Sequence, residues 1–388
     1  MFLNRKIIYF ILMVMYFSNL LIAKIHPPIK LGIDSICGNQ QDLLIGKKIG
    51  LITNQSGVTS LGESNISCLK KIPNSSLEVI FSPEHGFFGN HPAGEKINGQ
   101  NKVDSINVIS LYGSSKKPTQ EQLKGIDILI YDIQDIGARC YTYISTLGLA
   151  MEAAAEANIT FMVLDRPNPI TTQKKQGANL NKEYTSFLGP YPIPLRYGLT
   201  PGQLAKKINQ KKWIPNSPEL IVVKLENWSA SKWYDQSNLD WIAPSPNIPD
   251  LETALLYTAT VIFEATNISE GRGTETPFLA IGAPWINGAK LANEINRKKL
   301  HGVTIKPTSF TPKDIKGKVK NPKYKNQLCE GIKLTVTHRN LVNTEQIAKT
   351  LFFSILKLYP TEFSIDENYL NKLWGTSELS DLVLKAKS

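Results

Sequence analysis

The sequence contains none of the short motifs that identify the common nucleotide-dependent enzymes. No G-x-G-x-x-G follows the first predicted strand, which argues against a dinucleotide cofactor, and no Walker A motif is present. G-x-S-x-G and H-E-x-x-H are also missing, so neither a hydrolase nucleophile elbow nor a helical zinc-protease site is indicated. The motifs therefore predict no cofactor-dependent class.

Metal-ligating residues are few and scattered. The 388 residues include five histidines, of which only His85 and His91 lie close together, and four cysteines that form no C-x-x-C pair. No metal site is therefore predicted. An oxidising compartment permits one or two disulfides, whose pairing the spacing does not give. A chain of this length does not need such cross-links, so buried free thiols are favoured. The cysteines are Cys37, Cys68, Cys140 and Cys329.

Acidic residues are outnumbered, 33 against 44 basic residues, which gives a formal net charge of +11. Such an excess suits nucleic acid, an anionic polymer of the cell envelope, or a generally basic proteome. No nucleic-acid-binding motif accompanies the charge, so a nucleic-acid partner is not expected. The hydrophobic content of 42% and charged content of 20% are ordinary for a globular protein, and the length accommodates two domains.

Long apolar runs are absent except at the N-terminus. Arg5 and Lys6 precede the apolar segment 7–22, and Ala23 follows it, which is the pattern of an export signal over residues 1–23. Leu21 is larger than a cleavage site prefers, so an uncleaved anchor is the alternative. We expect a periplasmic or extracellular protein with no membrane span after signal removal.

Strand patterns alternate with helical patterns over residues 30–245. This alternation predicts a mainly parallel sheet covered by helices on both faces, in a Rossmann-like α/β domain. The predicted strands are 48–54, 78–81, 108–111, 127–131, 160–164 and 220–225, and the predicted helices are 66–72, 119–124, 146–157 and 201–210.

The remainder of the chain predicts a smaller α+β domain over residues 250–388. It follows segment 241–250, whose three prolines indicate a linker or an extended wall. The predicted elements are strands at 258–263, 302–305 and 331–337 and a helix at Thr344–Leu358. Segment 313–325 carries six lysines and is expected to be a solvated loop.

Polar residues follow most of the predicted strands. In an open parallel sheet, ligands bind in the crevice beyond the carboxyl ends of the strands. Glu84 and His85 follow strand 78–81 after Ser82 and Pro83. A carboxylate beside an imidazole suits proton transfer. The alternative is that Glu84 caps the next helix. The polar residues expected at this edge are Asn54, Glu84, His85, Asp132, Asp135, Arg139, Asp165 and Arg166.

Seven long strings carry a resemblance to a known family. In order they are SPEHGFFG, SLYG, YDIQDIGARCYTYISTL, VLDRPNPI, LTPGQLA, PSPNIP and FEATNISEGRGTETPF. Together they resemble the NamZ family of exo-β-N-acetylmuramidases, from about residue 46 to the C-terminal region. Two departures are Thr171 and Thr172, where glycines are expected, and Tyr197, where the family often has histidine.

The resemblance implies a Rossmann-like domain, a C-terminal auxiliary domain and an active-site cleft between subdomains. It also implies cofactor-free release of N-acetylmuramic acid from the non-reducing ends of peptidoglycan fragments, either MurNAc-GlcNAc saccharides or muropeptides. The glutamate of the PEHG motif, Glu84, corresponds to the proposed catalytic residue. Two alternatives stay open: a non-catalytic muropeptide-binding protein, and a metal-dependent hydrolase of amides or phosphate esters that uses His85, Asp132 and Asp135.

Glycoside hydrolysis usually requires one carboxyl group as acid and another as base or nucleophile. Glu84 suits the acid, because the neighbouring Phe87 and Phe88 are expected to raise its pKa by desolvation. His85 is a further candidate for proton transfer. The second carboxyl group is left open among four candidates: Asp132, Asp135, Glu264 and Glu270.

Substrate binding predicts a different set of residues. N-acetylmuramic acid carries a lactyl carboxylate, which an arginine fork matches with two hydrogen bonds. The alternative is that the arginines only brace acidic side chains, with Asp135 holding Arg139. Tyr141 is expected to stack on the sugar or else to pack in the core. The predicted binding residues are Asn54, Arg139, Tyr141, Arg166, Asn168, Asn267 and Arg272.

Overall fold

The computed structural model describes residues 27–92, 95, 101–113 and 115–387, so the predicted export signal lies outside the described residues. The N-terminal helices are α1 (Gly32–Cys37), α2 (Asn65–Leu69), α3 (Tyr143–Glu156) and α4 (Pro201–Lys211). The N-terminal strands are β1 (Lys48–Thr53), β2 (Ser76–Ser82), β3 (Asn101–Val103), β4 (Ile106–Ser110), β5 (Ile128–Asp132), β6 (Thr160–Leu164), β7 (Gln176–Asn179), β8 (Pro194–Arg196) and β9 (Leu220–Val223).

Seven strands form one sheet in the order β3-β4-β2-β1-β5-β6-β9, and all neighbours are parallel except β3 and β4. The six parallel strands follow the doubly wound order. The order in which successive strands are added to the sheet reverses between β1 and β5, the topological switch point. The predicted Rossmann-like domain is therefore confirmed. Strands β7 and β8 form a separate antiparallel pair.

Both faces of the sheet are buried, which explains why its strands are continuous apolar runs. Along β5, Leu129 and Tyr131 belong to one hydrophobic cluster, whereas Ile128 and Ile130 belong to the other, as the two-residue period of a strand requires. The predicted helix at 119–124 forms only turns.

The C-terminal part contains a second, smaller sheet of three antiparallel strands, in the order β10-β12-β11. Its helices are α5 (Leu251–Thr260), α6 (Gly288–Asn296), α7 (Thr344–Leu358), α8 (Glu367–Trp374) and α9 (Glu378–Lys387). Its strands are β10 (Ala280–Ala283), β11 (Val303–Phe310) and β12 (Cys329–Val336). Among the described helices of the whole chain, none has the length and apolarity needed to cross a bilayer.

The predicted strand at 258–263 is wrong, because this stretch is the end of α5 and a 3₁₀ helix, Val261–Ala265. Its β-branched residues are tolerated in a helix because they are buried on all sides. The hydroxyls of Thr258 and Thr260 donate to the carbonyls of Leu255 and Leu256, so both hydroxyl groups are satisfied within the helix.

Two of the four cysteines form a disulfide, Cys37–Cys68, with Cα atoms 5.8 Å apart. The expectation of free thiols is therefore wrong for this pair and right for Cys140 and Cys329, which are free and buried. The spacing of 31 residues gave no signal for the pair. Packing brings the two together, because α1 and α2 contribute Ile36 and Ile66 to the same hydrophobic cluster.

Candidate active site

A cavity of about 290 Å³ lies between the carboxyl edge of the large sheet and the C-terminal domain. Loops that follow β2, β4 and β5 supply one wall, with Glu84, Tyr112 and Thr142. The C-terminal domain contributes Tyr369 on α8 and Glu264 in the 3₁₀ helix. The remaining polar lining residues are His85, Cys140, Tyr141, Ser245, Asn247, Tyr257 and Arg272.

Glu84 lies where β2 ends, because Ser82 is the last residue of the strand and Pro83 has no N–H to continue the ladder. The side chain is largely buried, and Oε2 accepts a hydrogen bond from the hydroxyl of Thr142 at 2.6 Å. Burial, the charge of Glu84 and a hydrogen bond with it raise the pKa of Tyr112, so this phenol stays protonated beside the carboxyl group. Glu84 is therefore held by two hydroxyl groups.

The expectation that Phe87 and Phe88 cover Glu84 is corrected by their positions. Phe88 is 60% exposed, and Phe87 packs against the hydrophobic cluster under α1 and α2. Neither ring is among the side chains that line the cavity. The aromatic surface at the cavity comes instead from Tyr112, Tyr141 and other residues distant in the sequence.

His85 is held in an unusual backbone conformation, with φ of 71°, which a residue other than glycine rarely adopts. Its Nδ1 lies 2.8 Å from the carbonyl oxygen of His91, and a carbonyl only accepts, so Nδ1 carries the proton. Burial lowers the pKa of the imidazole, against the opposing effect of the Glu84 charge. At neutral pH the ring is therefore uncharged, and its Nε2 is a free base or acceptor.

Arg272 joins two carboxylates of the C-terminal domain. Its Nη2 lies 2.6 Å from Oε1 of Glu264, and its Nη1 lies 3.2 Å from Oε1 of Glu270. The hydroxyl of Tyr369 donates to the other oxygen of Glu264 at 2.7 Å. Both Glu264 oxygens therefore accept hydrogen bonds, which is the pattern of an ionised carboxylate facing the cavity.

Lys323 completes this charge network. Its Nζ lies 3.3 Å from Oε2 of Glu270 and donates to the carbonyls of Phe263, Glu264 and Ile268. Burial opposes ionisation of Glu270, but the charges of Lys323 and Arg272 outweigh it and lower the pKa of that carboxyl group. The expectation that segment 313–325 is only a solvated loop is therefore wrong for Lys323.

Asp132 and Arg166 do not line this cavity, and they bind each other. Nε of Arg166 lies 2.6 Å from Oδ1 of Asp132, and Nη2 lies 2.9 Å from Oδ2. Asn65 also donates to Asp132, at 2.8 Å. Asp132 ends β5 and Arg166 follows the paired strand β6, so this buried ion pair links the two strands at the edge of the sheet. Arg166 lines a second cavity, of about 280 Å³, so its contact with a substrate stays a prediction, as does that of Asp132.

Asp135 and Arg139 are also buried away from the cavity, and the predicted contact between them is not formed. Asp135 accepts from the amide of Gly137 at 2.6 Å and from the hydroxyl of Tyr197. Burial raises the pKa of Asp135 to about 6. Arg139 instead donates from its two Nη atoms to three backbone carbonyls, those of Ala178, Ile193 and Leu373.

The three predicted asparagines do not line the cavity, and each donates a hydrogen bond to a residue distant in the sequence. Asn54 donates to the hydroxyl of Tyr143 at 3.0 Å, and Asn168 donates to the carbonyl of Leu199 at 2.9 Å. Asn267 donates to the carbonyl of Glu362 at 2.7 Å. Tyr141 does line the cavity, with its ring edge-on to Tyr143 at 4.7 Å.

The two departures from the family pattern have structural correlates. Thr171 adopts φ of 70°, a conformation that glycine adopts without strain, which accounts for the expectation of glycine there. Tyr197 lies on Asp135 and not in the cavity. Tyr197, the second departure from the family pattern, is therefore not a residue of the cavity wall.

Sequence reasoning missed several polar residues of the cavity. Tyr112, Thr142 and Asn247 lie inside the strings SLYG, YDIQDIGARCYTYISTL and PSPNIP, so the motifs contained a signal for them. Tyr369 belongs to no such string, and only the fold brings α8 to Glu264. In the part of the chain that the structure describes, no group of three or more His, Cys, Asp or Glu side chains is arranged to hold a metal ion.

Comparisons with known proteins agree along the chain. Residues 49–252 match the family model of the N-terminal domain of the exo-β-N-acetylmuramidase NamZ, and residues 255–388 match that of its C-terminal domain. The chain is 42% identical over 351 residues to the peptidoglycan β-N-acetylmuramidase NamZ of Bacillus subtilis (strain 168), covering 90% of this chain and 83% of that protein.

Two crystal structures of DUF1343 family proteins from Bacteroides fragilis NCTC 9343 share the fold. BF0371 superposes with a TM-score of 0.85 at 35% identity, and BF0379 with a TM-score of 0.76 at 30% identity. In each case the match covers 93% of this chain and 92% of the other.

Proposed function

The chain belongs to the NamZ family of exo-β-N-acetylmuramidases, and we propose that it is a glycosidase that releases N-acetylmuramic acid from the non-reducing ends of peptidoglycan fragments. The observation that supports this most directly is the meeting of Glu84 and Glu264, from different domains, in one cavity. Two carboxyl groups that face one sugar are what glycoside hydrolysis requires.

Glu84 is the candidate general acid. It is largely buried, it lines the cavity, and its contacts with Thr142 and Tyr112 fix its orientation. A carboxyl group in this position can give its proton to the glycosidic oxygen as the bond to the leaving sugar breaks. The hydroxyl groups of Thr142 and Tyr112 restrict the rotation of the Glu84 carboxyl group, so its proton is donated in one direction within the cavity.

Glu264 is the candidate second carboxylate. Of the four predicted residues, it alone lines the cavity; Asp132 and Asp135 lie elsewhere, and Glu270 lies behind Arg272. Its negative charge can stabilise the positive charge that develops on the sugar ring in the transition state. Arg272 and Tyr369 hold it in position.

His85 and the tyrosines supply neutral polar contacts for the sugar. The unprotonated Nε2 of His85 accepts a hydrogen bond from a hydroxyl group or a water, whereas Tyr257 and Tyr112 are donors because burial, the largest effect, raises the pKa of each. The hydroxyl of Tyr141 is buried at the cavity beside Ser245 and Tyr143. A polar group of the substrate can join this cluster of hydroxyl groups.

The substrate fragments are proposed to be MurNAc-GlcNAc saccharides and muropeptides, met outside the cytoplasm. Two observations support export to the periplasm or the extracellular space: the signal pattern at residues 1–23 and the disulfide Cys37–Cys68. Disulfides persist in oxidising compartments and are rare in the cytosol.

The proposal is tested with a chromogenic glycoside of N-acetylmuramic acid. Wild-type protein is expected to release the chromophore. On MurNAc-GlcNAc, whose leaving group is not activated, Glu84→Gln is expected to lose about 10²–10⁴-fold in kcat while it still binds and folds. Glu121→Gln, at an exposed position, is the matched control and should behave as wild type. Absence of turnover in the wild type favours the binding-protein alternative, and loss of turnover with a chelator favours the metal-dependent hydrolase.

A further inference from the structure

The lysine-rich segment 313–325 forms part of the rim of the cavity. The amide of Lys313 donates to the carbonyl of Gly273 at 2.9 Å, directly after the cavity residue Arg272. The carbonyl of Lys318 accepts at 3.0 Å from the side-chain amide of Asn247, which also lines the cavity. The segment is therefore attached to the mouth of the site at two points.

The tip of the segment is a tight turn. Ile315 and Val319 exchange both backbone hydrogen bonds, each 3.0 Å long, with Gly317 between them at φ of 76°. A Cβ atom at Gly317 would lie 3.2 Å from the carbonyl oxygen of Asn90, so the tip lies against the loop that carries His85. At the other end of the segment, Lys323 is fixed to Glu270 and three carbonyls.

This turn presents uncompensated positive charge. Lys316, Lys318 and Lys320 are exposed, and we name them the rim lysines. The acidic residue of the segment, Asp314, is bound to Lys325 at 2.5 Å. Within the described parts of the chain, neither Lys316 nor Lys318 forms an ion pair. An anion that approaches this turn therefore meets the positive charge of the rim lysines.

The size of the cavity indicates what approaches the rim. About 290 Å³ is at the lower limit of ligand pockets, so the site holds little more than the terminal sugar. The rest of a longer fragment must leave the cavity over its rim. In a peptidoglycan strand every second sugar is N-acetylmuramic acid, whose lactyl group is a carboxylate when it bears no peptide and carries the carboxylates of a stem peptide when it does.

We propose that the rim lysines bind carboxylates of the fragment beyond the scissile bond, so that the protein prefers longer fragments to the disaccharide. The inference rests on the proposed function and specifies its substrate. An exposed ion pair contributes roughly 0.2–1 kcal/mol, which corresponds to about 1.4- to 5-fold for each pair. We therefore expect about 3- to 10-fold higher kcat/KM for a tetrasaccharide than for MurNAc-GlcNAc at low salt.

The experiment compares three substrates: MurNAc-GlcNAc, the peptide-free tetrasaccharide, and the tetrasaccharide with a stem peptide on its inner N-acetylmuramic acid. Each is tested with the wild type and with the triple variant Lys316→Gln, Lys318→Gln, Lys320→Gln. The control variant Lys298→Gln, Lys299→Gln, Lys306→Gln removes the same charge from exposed lysines outside the segment. Raising the salt concentration should reduce the wild-type preference, because exposed charges are screened.

The proposal is supported if the rim variant loses the preference for longer substrates, keeps its activity on the disaccharide, and the control variant retains both. A preference for the peptide-free tetrasaccharide identifies the lactyl carboxylate, and a preference confined to the peptide-bearing substrate identifies the stem peptide. Equal kcat/KM for all three substrates, or a preference that survives in the rim variant, overturns it. Absence of hydrolysis of every substrate by the wild type contradicts the proposed function instead.

Discussion

The guanidinium of Arg272 lies 2.6 Å from Glu264 and also contacts Glu270 at 3.2 Å, so one cation serves a carboxylate at the cavity and another behind it. All three side chains are mostly buried. The charges of Glu264 and Glu270 outweigh the effect of burial and raise the pKa of Arg272. The position and charge of Glu264 therefore depend on a residue that sequence analysis assigned to substrate binding.

Replacing Arg272 by methionine should destabilise the protein by about 3–5 kcal/mol, because it leaves the buried Glu264 without its cation and Glu270 with Lys323 alone. Adding Glu264→Gln should recover part of this loss, because the unpaired charge is then removed. The measurement is urea unfolding. Lys71→Met, which removes an exposed ion pair with Glu63, should cost less than about 1 kcal/mol. Equal effects of Arg272→Met and Lys71→Met would refute the buried-network interpretation.

The three predicted arginines should differ in their effect on substrate choice. Arg139 and Arg166 donate to backbone carbonyls or to Asp132, so their lysine variants should lower stability and leave the preference for N-acetylmuramic over N-acetylglucosamine glycosides unchanged. Arg272 lines the cavity, and its Nε has no hydrogen-bond partner among the described atoms. Arg272→Lys should therefore narrow the preference by about tenfold or more, because a charge-assisted bond to the lactyl group is lost.

The measurement is the ratio of kcat/KM for the N-acetylmuramic acid glycoside to kcat/KM for the N-acetylglucosamine glycoside, determined for each arginine variant. If all three lysine variants keep the wild-type ratio, another group binds the lactyl carboxylate. If Arg166→Lys alone changes it, the substrate reaches the sheet edge at which Arg166 pairs with Asp132.

Local patterns predicted the parallel sheet and its polar edge because both depend on residues adjacent in sequence. The strand at Thr160–Leu164 and the helix at Thr344–Leu358 have the predicted bounds, and Glu84 lies beyond a strand end as expected. Strand ends do not reveal which polar residues face one another. Asp132 and Arg166 satisfy each other across two paired strands, whereas Glu264 meets Tyr369 only because α8 packs beside it. Tertiary contacts of this kind leave no local signature.

The titration of Asp135 should lower the free energy of unfolding as the pH rises from about 4 to 6. Burial raises its pKa to about 6, from an unfolded value near 3.8, and no cation among the described residues pairs with it. Between these values the folded state binds more protons than the unfolded state, so raising the pH favours unfolding. A difference of about two units between the folded and unfolded pKa of Asp135 corresponds to about 3 kcal/mol in the free energy of unfolding.

Asp135→Asn removes this titration while retaining an acceptor for Tyr197 and Gly137. The free energy of unfolding, measured between pH 4 and 7, should decline less in the variant, although Asp165, whose pKa burial also raises to about 6, keeps part of the slope. Asp42→Asn, at an exposed position, should leave the slope as in the wild type. Identical slopes in the wild type and Asp135→Asn would show that Asp135 is ionised throughout this range.

The disulfide Cys37–Cys68 should contribute to stability without contributing to catalysis. It closes a loop over a sequence separation of 31 residues, for which the chain-entropy model gives about 3–4 kcal/mol. It belongs to the cluster under α1 and α2, whereas the cavity residues Tyr141 and Tyr257 belong to the cluster on the other face of the sheet. Reduction should therefore lower the free energy of unfolding by this amount and leave kcat/KM at 25 °C nearly unchanged.

The variant Cys37→Ser, Cys68→Ser should be equally destabilised and insensitive to reductant. Thiol titration of the denatured wild type should find two thiols before reduction, those of Cys140 and Cys329, and four after it. Four thiols before reduction would mean that the bond does not form, and an unchanged stability after complete reduction would mean that packing of α1 against α2 holds this region alone.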